Sequence, residues 1–309
     1  MPKQTQKPKH IPVLLQEVID VLNPKVGESY VDMTAGYGGH AESILSISGN
    51  YGDSYLIDRD NNAINTLKSI FDKKEINLMN CDYLEASKKL ATLGQKFDMI
   101  LADVGISSPH IDNASRGFTF IGENPLDMRM DQTQKLTAET IVNSYREEEI
   151  ISILRKYGEE PRARLITKMI IENRPISNTA QLAQIVAKAY PGYSKRHPAT
   201  RTFQALRVAV NDELGQLEQA LPLWLDLLSP GGRLAVISFH SLEDRLVKQI
   251  FKASAVEGYD SEYKSLTRRP ITATNEELVF NPRSRSAKLR AVEKNKNKER
   301  ENHANQGQK

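Results

Sequence analysis

The 309-residue chain has one cysteine, Cys81. A single thiol excludes an intramolecular disulfide and any zinc site built from several cysteines. The simplest role for Cys81 is that of a small residue at a strand end rather than a nucleophile. No apolar run approaches the roughly 20 residues of a membrane helix. The first ten residues, MPKQTQKPKH, lack the apolar core of a secretory signal. Together these absences point to the cytoplasm. Strong net charge is also missing, at +3, so the distribution of charge carries more information than its total. Basic residues cluster at Lys3–Lys9, Lys195–Arg207, Arg268–Arg269, Arg283–Arg290 and Lys294–Arg300. No His or Cys spacing suggests a metal, and no internal repeat is evident. The polar run 294–309 is expected to be a disordered basic tail.

What the chain does have is an alternation of short apolar runs and helix-length segments. Strands are expected at Tyr30–Met33, Ser54–Asp58, Ile76–Asn80 and Phe97–Asp103, with helices at Gly39–Ile47, Asn61–Phe71 and Leu84–Leu93. This pattern implies an α/β fold with a mostly parallel sheet covered on both faces. It returns after a long helix from about Pro198 to Leu228, broken near Asn211. A Pro-Gly-Gly turn then feeds a strand at Arg233–Phe239, a helix at Leu242–Phe251 and a last strand near Ala287–Val292. From Asp112 to Lys195 no strand is expected. Ser144 with Glu147 reads as a capping box, Gly158 as a helix stop, Pro161 as the first turn of the next helix, and Asn178 or Thr179 as a third start. A helical insertion into a parallel sheet accounts for this. The expected division is a flexible 1–9, a discontinuous sheet domain of 10–111 and 198–293, and a helical insert of 112–197.

The chemistry concentrates at strand ends. The strand at Tyr30 runs into a loop containing Gly36, Gly38 and Gly39, and the next strand ends on Asp58, 22 residues after Gly36. That is the layout of a nucleoside-binding βαβ unit, in which the carboxylate accepts from ribose hydroxyls. Alone, such a loop reads equally well as a structural turn. Asp32, just ahead of it, repels a pyrophosphate but suits a cationic ligand such as the sulfonium and ammonium of S-adenosylmethionine. Asp103 ends the fourth strand, so three carboxylates are expected to converge at the carboxyl edge of the sheet.

Several longer blocks carry a resemblance. They are HIPVLLQEV at His10–Val18, DMTAGYGGH at Asp32–His40, LIDRD at Leu56–Asp60 and DVGISSPHID at Asp103–Asp112. RGFTF and PLDMRMD follow between Arg116 and Asp131, then HPATRTFQALR at His197–Arg207 and SFHSLEDR at Ser238–Arg245. NPRSRSAKLR at Asn281–Arg290 fits the final strand. Across roughly residues 10 to 293 the chain resembles the bacterial small-subunit ribosomal RNA cytosine-N4 methyltransferase family (RsmH, also called MraW). The resemblance implies a class I, Rossmann-like methyltransferase fold with an all-helical insert. It implies S-adenosylmethionine bound at Gly38, Gly39, His40, Asp58, Tyr83, Asp103 and His110. At His110 relatives often have glutamine, and at Tyr83 they can have phenylalanine. Asp82 is a rival for the adenine contact.

The resemblance implies an in-line displacement on the sulfonium methyl by a cytosine amine in the decoding region of 16S ribosomal RNA. Asp103 is the expected acceptor for that amine, and its alternative role is a cofactor contact alone. Arg129, His197, Arg201 and Arg207 are expected to contact RNA, although Arg129 and Arg201 read equally as structural arginines. His240 with Glu243 look like a catalytic pair but read better as an ordered wall, with Ser241 as a helix N-cap. Two rival readings remain. One is a noncatalytic RNA-binding assembly factor that keeps a cofactor pocket. The other is a nicotinamide-dependent oxidoreductase. Oligomeric state, a homodimer included, is left open.

Overall fold

The computed structural model describes residues 12–105, 113–192, 197–255 and 261–296. His110, the basic cluster at Lys3–Lys9 and most of the tail lie outside these residues. The contacts divide the chain into two compact units, residues 1–105 with 216–309 and residues 106–215.

The first unit is a seven-stranded sheet in the order β3-β2-β1-β4-β5-β7-β6. Its strands are β1 (Tyr30–Asp32), β2 (Tyr55–Asp58), β3 (Asn77–Asn80), β4 (Phe97–Asp103), β5 (Leu228–Ser238), β6 (Tyr263–Ser265) and β7 (Lys288–Lys294). The first five pair in parallel, and β7 is antiparallel to both of its neighbours. Chain order reverses between β1 and β4, which is where ligands bind in open α/β sheets. Apolar side chains alternate between the two faces. Ile100, Ala102, Leu234 and Val236 face one core, while Met99, Leu101, Ala235 and Ile237 face the other. Both faces are therefore buried, as the near-continuous apolar runs require.

Helices α1 (Leu15–Leu22), α2 (Gly39–Ser48), α3 (Asn61–Ile70) and α4 (Tyr83–Thr92) belong to this unit. Asp60 and Asp82 cap α3 and α4, accepting from the N–H groups of Asn62 and Glu85. Arg233 at the start of the buried part of β5 makes a bidentate pair with Glu28 and donates to the carbonyls of Leu22 and Asn23. Burial raises the Glu28 carboxyl, but its Arg233 partner outweighs that and holds it below the usual range. The expected Pro-Gly-Gly turn is a bulge within β5. Phe97 pairs with Leu228 and Met99 with Arg233, so Ser229–Gly232 loop out between them.

The second unit is helical. It contains α5 (Ala138–Ser144), α6 (Glu147–Gly158), α7 (Ala163–Glu172), α8 (Thr179–Lys188) and α9 (Thr200–Asn211), closed on a core that includes Ile150, Leu154, Ile166, Val186, Phe203 and Leu206. Three sequence expectations change here. Ser144 ends α5, and the cap of α6 is two residues later, where Glu149 accepts from the Arg146 N–H at 2.8 Å. The long helix from Pro198 breaks next to Asn211 as expected, because Asp212 at φ 46° stops α9, and what changes is the packing of its first half. Its first half packs with the helical unit rather than with the sheet, because Phe203 and Leu206 are apolar on the face turned to that core. The continuation, α10 (Glu213–Asp226), carries Trp224 into the core of the first unit. Gly158 is not the left-handed stop of α6; Glu159 takes that conformation at φ 47°. Gly158 is small for packing, since a Cβ there would lie 2.7 Å from the Arg201 carbonyl oxygen and 3.1 Å from the Ala205 Cβ.

Among the described residues no helix is long and apolar enough to cross a membrane. The packing of α6 on α9 gives a first test. Gly158→Ala should cost about 1–3 kcal/mol of stability, read by urea unfolding, whereas an unchanged midpoint would show that the backbone contact is slack.

Candidate active site

The switch point between β1 and β4 collects three carboxylates at strand ends, and their surroundings explain what each can do. Asp32 is 2% exposed. Its Oδ2 accepts from the Tyr30 hydroxyl at 2.7 Å and its Oδ1 from the Thr34 N–H at 3.1 Å. Asp58 accepts from the Gly36 N–H at 2.8 Å on one oxygen and from the Asp60 N–H at 2.7 Å on the other. Each oxygen keeps a second lone pair for a further donor. Asp103 is held through its backbone, whose N–H donates to the Thr34 hydroxyl at 2.6 Å. Its Oδ1 is buried with no hydrogen-bond partner among the described residues.

These environments shift the titrations upward. Burial raises Asp32 to about 7, against the opposing hydrogen bonds from Tyr30 and Thr34. Burial, followed by the charges of Asp32 and Glu243, raises Asp103 to about 8. Burial also raises Asp58, partly offset by its two backbone donors. Asp32 and Asp103 thus hold protons near neutral pH with no cation among the causes of their shifts, whereas Arg59 acts to lower Asp58.

The glycine loop has a steric basis of its own. Neither Gly38 nor Gly39 needs a ligand to explain it. Gly38 sits at φ 81°, where a Cβ would also press on Leu67 at 3.0 Å, and a Cβ on Gly39 would lie 2.5 Å from the Pro12 ring. The backbone of the loop is still ordered toward the carboxylates, with the Gly36 N–H on Asp58 and the Ala35 N–H on the Ile57 carbonyl at 2.8 Å. His40, expected at the cofactor, is 8% exposed and places Nε2 2.9 Å from the Val13 carbonyl. Its ring ties Val13 to α2. Tyr83 opens α4 in an edge contact with Trp224, ring centroids 5.5 Å apart. Asp82 beside it spends one oxygen on its cap.

His240 and Glu243 form the cap of α11 (Ser241–Ser254). Glu243 accepts from the N–H groups of Phe239 and His240, and His240 Nδ1 accepts from the Glu243 N–H. The N-cap is therefore His240, not Ser241.

In the helical unit the four expected RNA contacts separate into two pairs. Arg129 makes a bidentate pair with Asp127 and donates to the carbonyls of Gln132 and Gln134. Arg207 makes a bidentate pair with Glu213 at 2.9 Å on both bonds. Both guanidinium groups are engaged by carboxylates of the same unit, so their expected contact with RNA remains a proposal. His197 and Arg201 are exposed, and the His197 ring stacks on Phe120 at 4.4 Å and 18°. Tyr30, Thr34 and Phe120 were not expected in these roles. Thr34 and Phe120 lie inside quoted blocks, so the only signal was a hydroxyl between two acids and an aromatic in RGFTF.

A family model described as the MraW methylase family matches residues 7–295. The chain belongs to that family. A protein of Heliobacterium mobile named ribosomal RNA small subunit methyltransferase H is 44% identical, over 92% of this chain and 98% of its own length. One of the same name from Nitratidesulfovibrio vulgaris is 46% identical, over 92% of this chain and 95% of its own. Among solved structures, an rRNA methylase from Streptococcus thermophilus has 11% identity and a TM-score of 0.40, over 94% of this chain and 99% of that one.

The carboxylates predict a pH signature without ligand. Unfolded carboxyls release their protons near pH 4, whereas folded Asp32 and Asp103 hold theirs up to about 7 and 8. The folded state binds more protons across that window, so stability falls as pH rises from about 4 through 8. Thermal unfolding of wild type and Asp32→Asn should show a shallower decline in the variant; identical slopes would remove Asp32 as a source.

Proposed function

We propose that this chain methylates the exocyclic N4 of a cytosine in the decoding region of small-subunit ribosomal RNA, in the cytoplasm. Dependence on S-adenosylmethionine and methyl transfer to small-subunit ribosomal RNA accord with membership of the methylase family; the atom and the region are the added step. The observation that carries the reading is the buried, unpartnered Asp103 Oδ1 at the switch point, next to a second buried acid.

The residues present suit the cofactor, because three acids without a buried cation match a ligand bearing an ammonium and a sulfonium. When bound, that cofactor supplies an electrophilic methyl on a positively charged sulfur. Asp58 accepts from the ribose hydroxyls, Asp32 and the Gly36–His40 backbone hold the amino-acid end, and Tyr83 flanks the adenine. His110, which the resemblance also assigns to the cofactor, lies outside the described residues. Asp103 accepts a hydrogen bond from the exocyclic amine, which draws the nitrogen lone pair out of the ring and orients it for attack. His197, stacked on Phe120, and Arg201 meet the RNA. The target base leaves its stack to reach the site.

Small subunits lacking the modification, incubated with labelled cofactor, should yield N4-methylcytidine after nuclease digestion. Asp103→Asn should lower turnover about 100-fold or more. Cofactor binding with no label at N4 favours the noncatalytic assembly factor. Near-normal turnover and cofactor affinity in Asp103→Ala would remove both roles given to that residue.

A further inference from the structure

Helix α12 (Asn275–Phe280) and the 3₁₀ turn Pro282–Ser286 form a corner leading into β7. The corner is firmly mounted. The Thr274 hydroxyl caps α12 through the Glu277 N–H, Glu277 Oε1 accepts from the Leu14 N–H at 2.9 Å, and fully buried Ser284 donates to the Asn281 carbonyl at 2.7 Å. Yet this rigid mount presents two neighbouring apolar side chains to solvent, Val279 at 74% and Phe280 at 77% exposed.

The charge beside them is equally outward. Lys288 and Arg290, within the same basic stretch, both close on Asp244. Arg283 and Arg285 are exposed, and Arg285 has no ion pair or side-chain hydrogen bond among the described residues. Strand register places the start of β7, into which the corner leads, at the ligand edge of the sheet. Asp103 pairs with Ile237, and Ile237 pairs with Leu289. Two strand spacings put Leu289 about 10 Å from Asp103, and the turn enters β7 at that edge.

We propose that Phe280 and Arg285 form a platform for unpaired nucleotides of the substrate RNA next to the target cytosine, with a base stacked on the ring and a phosphate on the guanidinium. An exposed aromatic with an adjacent arginine suits single-stranded RNA, which offers a π-face and a charge at each nucleotide. Two apolar side chains with a basic flank fall far short of the roughly 800 Å² per partner of a stable protein interface, so a second copy of this chain fits the patch less well. The inference rests on the proposed function, because it takes ribosomal RNA as the ligand.

The test uses full-length protein, unmodified small subunits and labelled S-adenosylmethionine. Phe280→Ala and Arg285→Ala should each raise the KM for subunits about tenfold, with kcat and cofactor Kd within about twofold. Phe280→Tyr, which keeps the ring, should restore the wild-type KM, and Arg285→Ala should flatten the salt dependence of subunit binding. Unchanged KM in both alanine variants overturns the platform. So does a shift of Phe280→Ala from dimer to monomer in sedimentation, which would assign the patch to a second copy. If wild type leaves cytosine N4 unlabelled, the proposed function fails separately, and filter retention of the same subunits still reads the platform as weaker binding by both variants.

Discussion

Carboxylates buried without a cation set the terms for the rest of this structure. Asp32 and Asp103 lie at the ends of adjacent parallel strands, so their charges oppose each other as well as the low-dielectric surroundings. The fold tolerates this through local donors. Tyr30 reaches forward two residues to Asp32, and Thr34 serves both acids, donating its N–H to one and accepting from the backbone of the other. A single threonine thus fixes the spacing of two acids across the switch point. Side chains elsewhere in the unit are arranged so that this rim stays put. Arg233 locks the opposite end of the sheet, and His40 holds the segment before α1 against α2.

The arrangement sets stability against binding. Protonated acids cost little in the empty site, whereas ionised acids attract a cationic ligand. The same groups that weaken the empty protein at higher pH strengthen its hold on the cofactor there. Asp58 differs from the other two because both of its oxygens already carry backbone donors, which suits orientation of hydroxyls rather than neutralisation of charge.

Much of the frame was legible in the sequence. The strand Phe97–Asp103 was read with its observed ends, and the carboxylates were found because each follows an apolar run. Short elements escaped, among them the eight-residue α1, the three-residue β6 and the six-residue α12. The partners of the acids escaped too, although Tyr30 and Asp32, two apart in β1, share a face of the strand. Arg129 and Arg207 show the limit of reading charge alone. Their partners, Asp127 and Glu213, lie two and six residues away, and only side-chain geometry separates a structural arginine from an RNA contact. Gly39 is small for Pro12 and Gly38 for its backbone conformation, roles that spacing alone does not separate from a cofactor contact.

The account turns on whether a cationic ligand ionises buried acids at the switch point. Calorimetric titration with S-adenosylmethionine near pH 7, in buffers of different ionisation enthalpy, counts the protons exchanged on binding. The account predicts net proton release from wild type and a smaller release from Asp32→Asn. Binding with no proton exchange in wild type would contradict it.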